Sequence, residues 1–81
     1  MKYVNIHIGF NSGIKENYRL EIEPHEVDAM KKELKHITSV VYDSYSANNN
    51  NTRISFRSIR GLELIRVSSI DSFCIEDLEF L

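Results

Sequence analysis

The sequence predicts an α+β domain: a small, mostly antiparallel twisted sheet, ordered ββα followed by three or four strands, with one helix packed on one face. Three observations carry that expectation. Apolar and polar residues alternate over 4–10 and 18–22, a helical stripe follows Pro24, and β-branched or aromatic runs recur beyond it.

Val4, Ile6, Ile8 and Phe10 alternate with Asn5, His7 and Gly9, the period of a strand with one buried face. Asn11, Ser12 and Gly13 form a turn cluster in which Gly13 can take a positive φ. Tyr18, Leu20 and Ile22 then alternate with Arg19, Glu21 and Glu23, so the first two strands make a hairpin. Pro24 ends the second strand. It suits the first turn of a helix, where a missing N–H loses no hydrogen bond.

Val27, Met30, Leu34 and Ile37 are spaced as one helical face. Glu26 and Asp28 lie early, while Lys31, Lys32 and Lys35 lie late, as the helix dipole favours. These features predict a helix over residues 25–36, with His36 as a cation near its C-terminus. The run "ITSVVY" from Ile37 to Tyr42 is β-branched and aromatic, which favours a strand over residues 38–46. Val41 would equally continue the helical stripe, so a longer helix is the alternative.

Residues 47–51 hold a run of four asparagines, the one low-complexity piece of the chain. Beyond it Ile54 and Phe56 point one way, and Arg53, Ser55 and Arg57 the other. Gly61 marks a turn or bulge. Leu62 and Leu64 share one parity, Ile65 and Val67 the other. A strand apolar on both faces is expected to be central and covered on both sides. After Ser68 and Ser69, Phe73 and Ile75 mark a last strand. In the tail, Leu78 and Phe80 alternate with Asp77 and Glu79 before Leu81, the pattern of a docked segment with one buried face.

Size and composition narrow the function. The 81 residues form a single domain, near the lower limit of what folds alone. Cys74 is the only cysteine, which rules out an internal disulfide, and no Cys/His set has zinc-ligand spacing. The beginning, "MKYVNIHIGF", lacks the apolar run and cleavage site of a signal peptide. No stretch approaches the roughly 20 apolar residues of a membrane span. The expectation is a cytoplasmic protein, away from membranes, with Cys74 reduced.

No catalytic constellation emerges. His7, His25 and His36 fall into no metal-binding pattern, and the glycines are too isolated for a phosphate loop. Cys74 has no base or oxyanion site marked beside it. The reading is a non-enzymatic chain without cofactor or metal.

Two candidate surfaces remain. Arg53, Arg57, Arg60 and Arg66 give residues 48–70 a charge of +3 against Glu63, within a chain of net charge −2. Such a strand could hold phosphates, so a nucleic-acid-binding regulator is the alternative function. Against it stand the acidic balance of the chain and the absence of an RNA-binding motif. The acidic residues 71–81 offer the arginines an internal partner instead. The second surface is apolar: Leu62, Leu64, Ile65, Val67, Leu78, Phe80 and Leu81 exceed what one helix on a small sheet covers. Leftover apolar area marks an interface. The expected function is therefore a small protein–protein interaction module, homodimeric, with a further protein partner. Its Ile- and Asn-rich composition suits an AT-rich genome, where accessory proteins of phages and mobile elements, including inhibitors of host systems, are commonly this small.

Overall fold

A computed structural model describes residues 2–47 and 51–78 of the chain. The order is β1 (Lys2–Phe10), β2 (Lys15–Ile22), α1 (Val27–Ala47), β3 (Arg53–Ser58), β4 (Gly61–Arg66) and β5 (Ile70–Glu76). Single 3₁₀ turns, Pro24–Glu26 and Val67–Ser69, lead into α1 and β5. The architecture is the expected α+β, ββα followed by three strands, all paired antiparallel. The strands divide into a three-stranded sheet, β2-β1-β5, and a two-stranded ribbon, β3-β4.

The first hairpin forms where alternation places it. Val4, Ile6 and Ile8 pair with Leu20, Tyr18 and Glu16, and the apolar residues of both strands share the inner face. Gly13 takes φ 92 in the loop, a value that only glycine adopts without strain. Its N–H donates to the Phe10 carbonyl, while the Phe10 N–H donates to the Ile14 carbonyl. The loop is tied to the far end of the chain because the Asn11 N–H donates to the Ser69 carbonyl.

Helix α1 covers the inner face of the sheet, and here the structure corrects the sequence reading. Residues 38–46 continue the helix rather than forming a strand. Leu34, Ile37, Val41 and Ser44 are all buried along one stripe. At 1.5 Å per residue, its 21 residues reach ~30 Å, enough to span the sheet. The β preference of Thr38, Val40 and Val41 is worth only a few tenths of a kcal/mol per residue, whereas burying Val41 contributes ~1.5–3 kcal/mol. Packing wins. The Thr38 hydroxyl is satisfied within the helix by donating to the Leu34 carbonyl at 2.9 Å. His36 consequently lies mid-helix and exposed, and the last turn carries no basic residue, so the dipole does not explain it.

The ribbon closes the remaining side of the core. Ile54, Phe56 and Ile65 point inward, and Phe56 meets Tyr18 edge-to-face with ring centroids 5.2 Å apart. Two backbone hydrogen bonds fix the ribbon's ends. The Ile59 N–H donates to the Arg19 carbonyl on β2, and the Val67 N–H to the Thr52 carbonyl.

Candidate interaction surface

The ribbon's register decides what its outer face carries. Ser58 pairs with Gly61 around a turn at Ile59 and Arg60. Gly61 takes φ 130, and the Ser58 hydroxyl accepts from the Arg60 N–H at 3.1 Å. From that turn the cross-strand pairs follow: Arg57 with Leu62, Ser55 with Leu64, and Arg53 with Arg66. Directly opposed residues of an antiparallel pair share a face. These six side chains therefore form one surface, opposite to Ile54, Phe56 and Ile65.

That surface is open. Leu62 is 69% and Leu64 68% exposed, and Ile59 at the adjoining turn is 59% exposed. Arg53, Arg57 and Arg66 are exposed as well. Among the described residues no carboxylate lies within ion-pairing distance of these three arginines. Arg57 also borders a groove of about 490 Å³ that Glu21, Glu23 and Glu26 help to line. The result is two leucines side by side, framed by three guanidinium groups.

The structure sorts the residues expected at interfaces. Leu62 and Leu64 are exposed, so β4 is not a central strand covered on both faces. Ile65 and Val67 are 7% and 1% exposed and belong to the core, which removes them from any interface. The apolar excess is smaller than parity implies, because Val67 turns inward in a 3₁₀ turn beyond β4. Leu78 packs against the core, half-buried. Phe80 and Leu81 lie outside the described residues.

The arginines divide too. Arg60 leaves the group. It sits at the turn, with its guanidinium 5.1 Å from the Tyr18 ring centroid and 3.7 Å from the Glu16 carboxylate. Burial, and then the Glu16 and Glu63 carboxylates, push the Tyr18 phenol above its ordinary pKa, with Arg60 opposing them. The acids of residues 71–78 make no ion pair with the arginine strand among the described residues. Glu76 accepts instead from His7, Nε2 to Oε2 at 2.8 Å.

A second concavity lies on the outer face of the three-stranded sheet. It is about 300 Å³ and is lined by His7, Gly9, Lys15, Asn17, Ser72 and Cys74. Cys74 is exposed and stands opposite His7 in the β1–β5 register. No local pattern marks this juxtaposition, since the two lie 67 positions apart. Among the described residues no hydrogen bond joins Cys74 to His7, and none of the described His, Cys, Asp and Glu side chains form a group able to hold a metal ion.

Set against known protein families, curated proteins and solved structures, the chain matches none. Among the described residues, no helix is long and apolar enough to cross a membrane.

Proposed function

We propose that this chain is a non-enzymatic interaction module that binds protein through the outer face of the β3–β4 ribbon. One observation carries the reading: Leu62 and Leu64 stand more than two-thirds exposed between arginines that no described carboxylate pairs. Exposed leucines of this kind cost nothing to a monomer, but side by side they offer a partner apolar area to bury. Where the partner is a different protein, the arginines favour one bearing carboxylates around its own apolar residues. Leucines at the centre of the face weigh against nucleic acid, which would leave them in water while the arginines took phosphates.

Self-association belongs to the same reading, as does an intracellular setting in which the exposed Cys74 stays reduced. An accessory or inhibitory role in a phage or mobile element rests only on how common small proteins without motifs are there.

The test is retention from a lysate of the native host on immobilised wild type, Leu62→Ser/Leu64→Ser and Arg53→Ala/Arg57→Ala/Arg66→Ala. The reading expects a protein held by wild type, lost with the serine pair, and weakened by salt or by the alanine triple. Retained material that is nuclease-sensitive, and indifferent to the serine pair, would establish the nucleic-acid alternative instead.

A further inference from the structure

The two sheets have four outer edges, and three of them are blocked. Edge strands with unpaired N–H and C=O groups invite pairing with another chain, and proteins blunt them with charges, bulges or covering segments. The β2 edge gives its Arg19 carbonyl to the Ile59 N–H. Helix α1 flanks β3, with a shallow groove of about 160 Å³ between them that reaches from Glu33 and Ile37 to Arg53 and Ser55. The β5 edge is broken by a register shift opposite Gly9 and Phe10, and it carries the exposed acids Asp71 and Glu76.

The β4 edge is less guarded: its charges are Glu63, half-buried on the inner face opposite Phe56, and Arg66 at its end. Its pairing with β3 runs without a register shift from Gly61 to Arg66, so the strand is unbulged. It contains neither proline nor lysine. Among the described residues its backbone hydrogen-bonds no strand but β3. Two of the three exposed arginines, Arg53 and Arg57, stand on the flanked strand, while the open one carries Leu62 and Leu64 with Arg66 at its end.

We propose that two copies of this chain dimerise by antiparallel pairing of β4 with the partner's β4, joining the two ribbons into a four-stranded sheet. This rests on the reading of the ribbon as the interaction surface and names a second copy as its occupant. Charge selects the geometry. Stacking two ribbons face to face would bring six arginines together across ~10 Å. Edge pairing keeps the arginines of the two β3 strands three strand spacings apart, ~14 Å, and leaves only Arg66 of each copy nearer, two spacings or ~10 Å from the partner's Arg57, against the ~8 Å screening length of physiological salt.

Charge selects the register as well. A two-fold axis at Glu63 would oppose that half-buried carboxylate to the partner's Glu63. An axis at Leu64 opposes Leu64 to the partner's Leu64, Glu63 to the partner's Ile65, and Leu62 to the partner's Arg66. Four leucines then form one apolar cluster across the axis, with the Arg66 of each copy at its two ends and Arg53 and Arg57 outside it.

The experiment combines sedimentation velocity with amide hydrogen exchange, both over a micromolar dilution series. Wild type is expected to sediment at twice the chain mass. Its amides in 61–66 should include ones that exchange about tenfold more slowly, or slower still, at high concentration than at low. Leu64→Lys, placed at an exposed position, is expected to keep the wild-type circular dichroism and to sediment as a monomer; Leu62→Lys provides a second variant. A wild-type monomer throughout the series overturns the dimer. A dimer broken by Leu64→Lys but without concentration-dependent protection in β4 overturns edge pairing and leaves the ribbon as the surface. A dimer indifferent to both lysine variants overturns the second-copy assignment, and the lysate experiment then decides the ribbon's role by itself.

Discussion

Leu64 and Ile65 are neighbours in β4 on opposite faces of the ribbon, and replacing each in turn separates surface from core. Fully burying a leucine contributes ~1.5–3 kcal/mol. Leu64 remains 68% exposed, so the folded chain gains only about a third of that amount from it. Leu64→Ser should therefore lower the unfolding free energy of the monomer by ~0.5–1 kcal/mol. Ile65 is 7% exposed. Ile65→Ala loses both transfer energy and packing around a new cavity, ~2–5 kcal/mol. Urea unfolding, run at protein concentrations below any self-association, measures both values. The two variants should differ by a factor of about two or more. If Leu64→Ser costs the monomer as much as Ile65→Ala, the chain itself buries Leu64 and the outer face is no docking surface. If Ile65→Ala costs under ~1 kcal/mol, the ribbon does not close the core as described.

Three further outcomes test other parts of the fold. Ser39→Pro, at an exposed position inside α1, should cost ~3 kcal/mol or more by breaking the helix; an unchanged thermal midpoint would refute a continuous helix from Val27 to Ala47. Gly61→Ala meets no atom within 4 Å, yet its φ of 130 strains any side-chain-bearing residue, so a loss of ~1–3 kcal/mol is expected. A neutral urea titration would show the turn to be relaxed. Tyr18 supplies a pH dependence. Its folded-state pKa is raised, so the folded chain holds the phenolic proton more tightly than the unfolded chain does. The associated stability is complete below the unfolded value near 10 and is lost as pH rises through the folded value. Thermal midpoints of wild type should thus fall more steeply than those of Tyr18→Phe above about pH 10, and parallel curves would contradict the shift.

Much of this architecture was written in periodicity. The first hairpin, the helix start at Pro24 and the inward Ile54 and Phe56 all follow from alternation or stripe. Residues 38–46 misled because β-branched side chains carry a local preference, while the need to cover the full length of β1 and β2 is a property of the assembled sheet. Val41, in phase with Leu34 and Ile37, was the signal that belonged to the whole. The candidate surface was half legible. A turn at Ile59 and Arg60, marked by Gly61, sets Arg57 against Leu62 and Arg53 against Arg66, and so puts the leucines among the arginines. Parity within β4 alone left Leu62 and Leu64 indistinguishable from core. Cys74 beside His7 needed the β1–β5 register, which no local pattern encodes.

In the proposed function Leu62 and Leu64 carry the binding contacts. Methyl NMR spectra of the isotope-labelled protein, recorded across a dilution series and again with the protein it retains, report on each leucine separately. The methyl signals of Leu62 and Leu64 should move or broaden, while those of the buried Leu20 and Leu34 stay in place. Binding that shifts signals around the His7 and Cys74 depression, or along the exposed side of α1, and leaves Leu62 and Leu64 unmoved would contradict it.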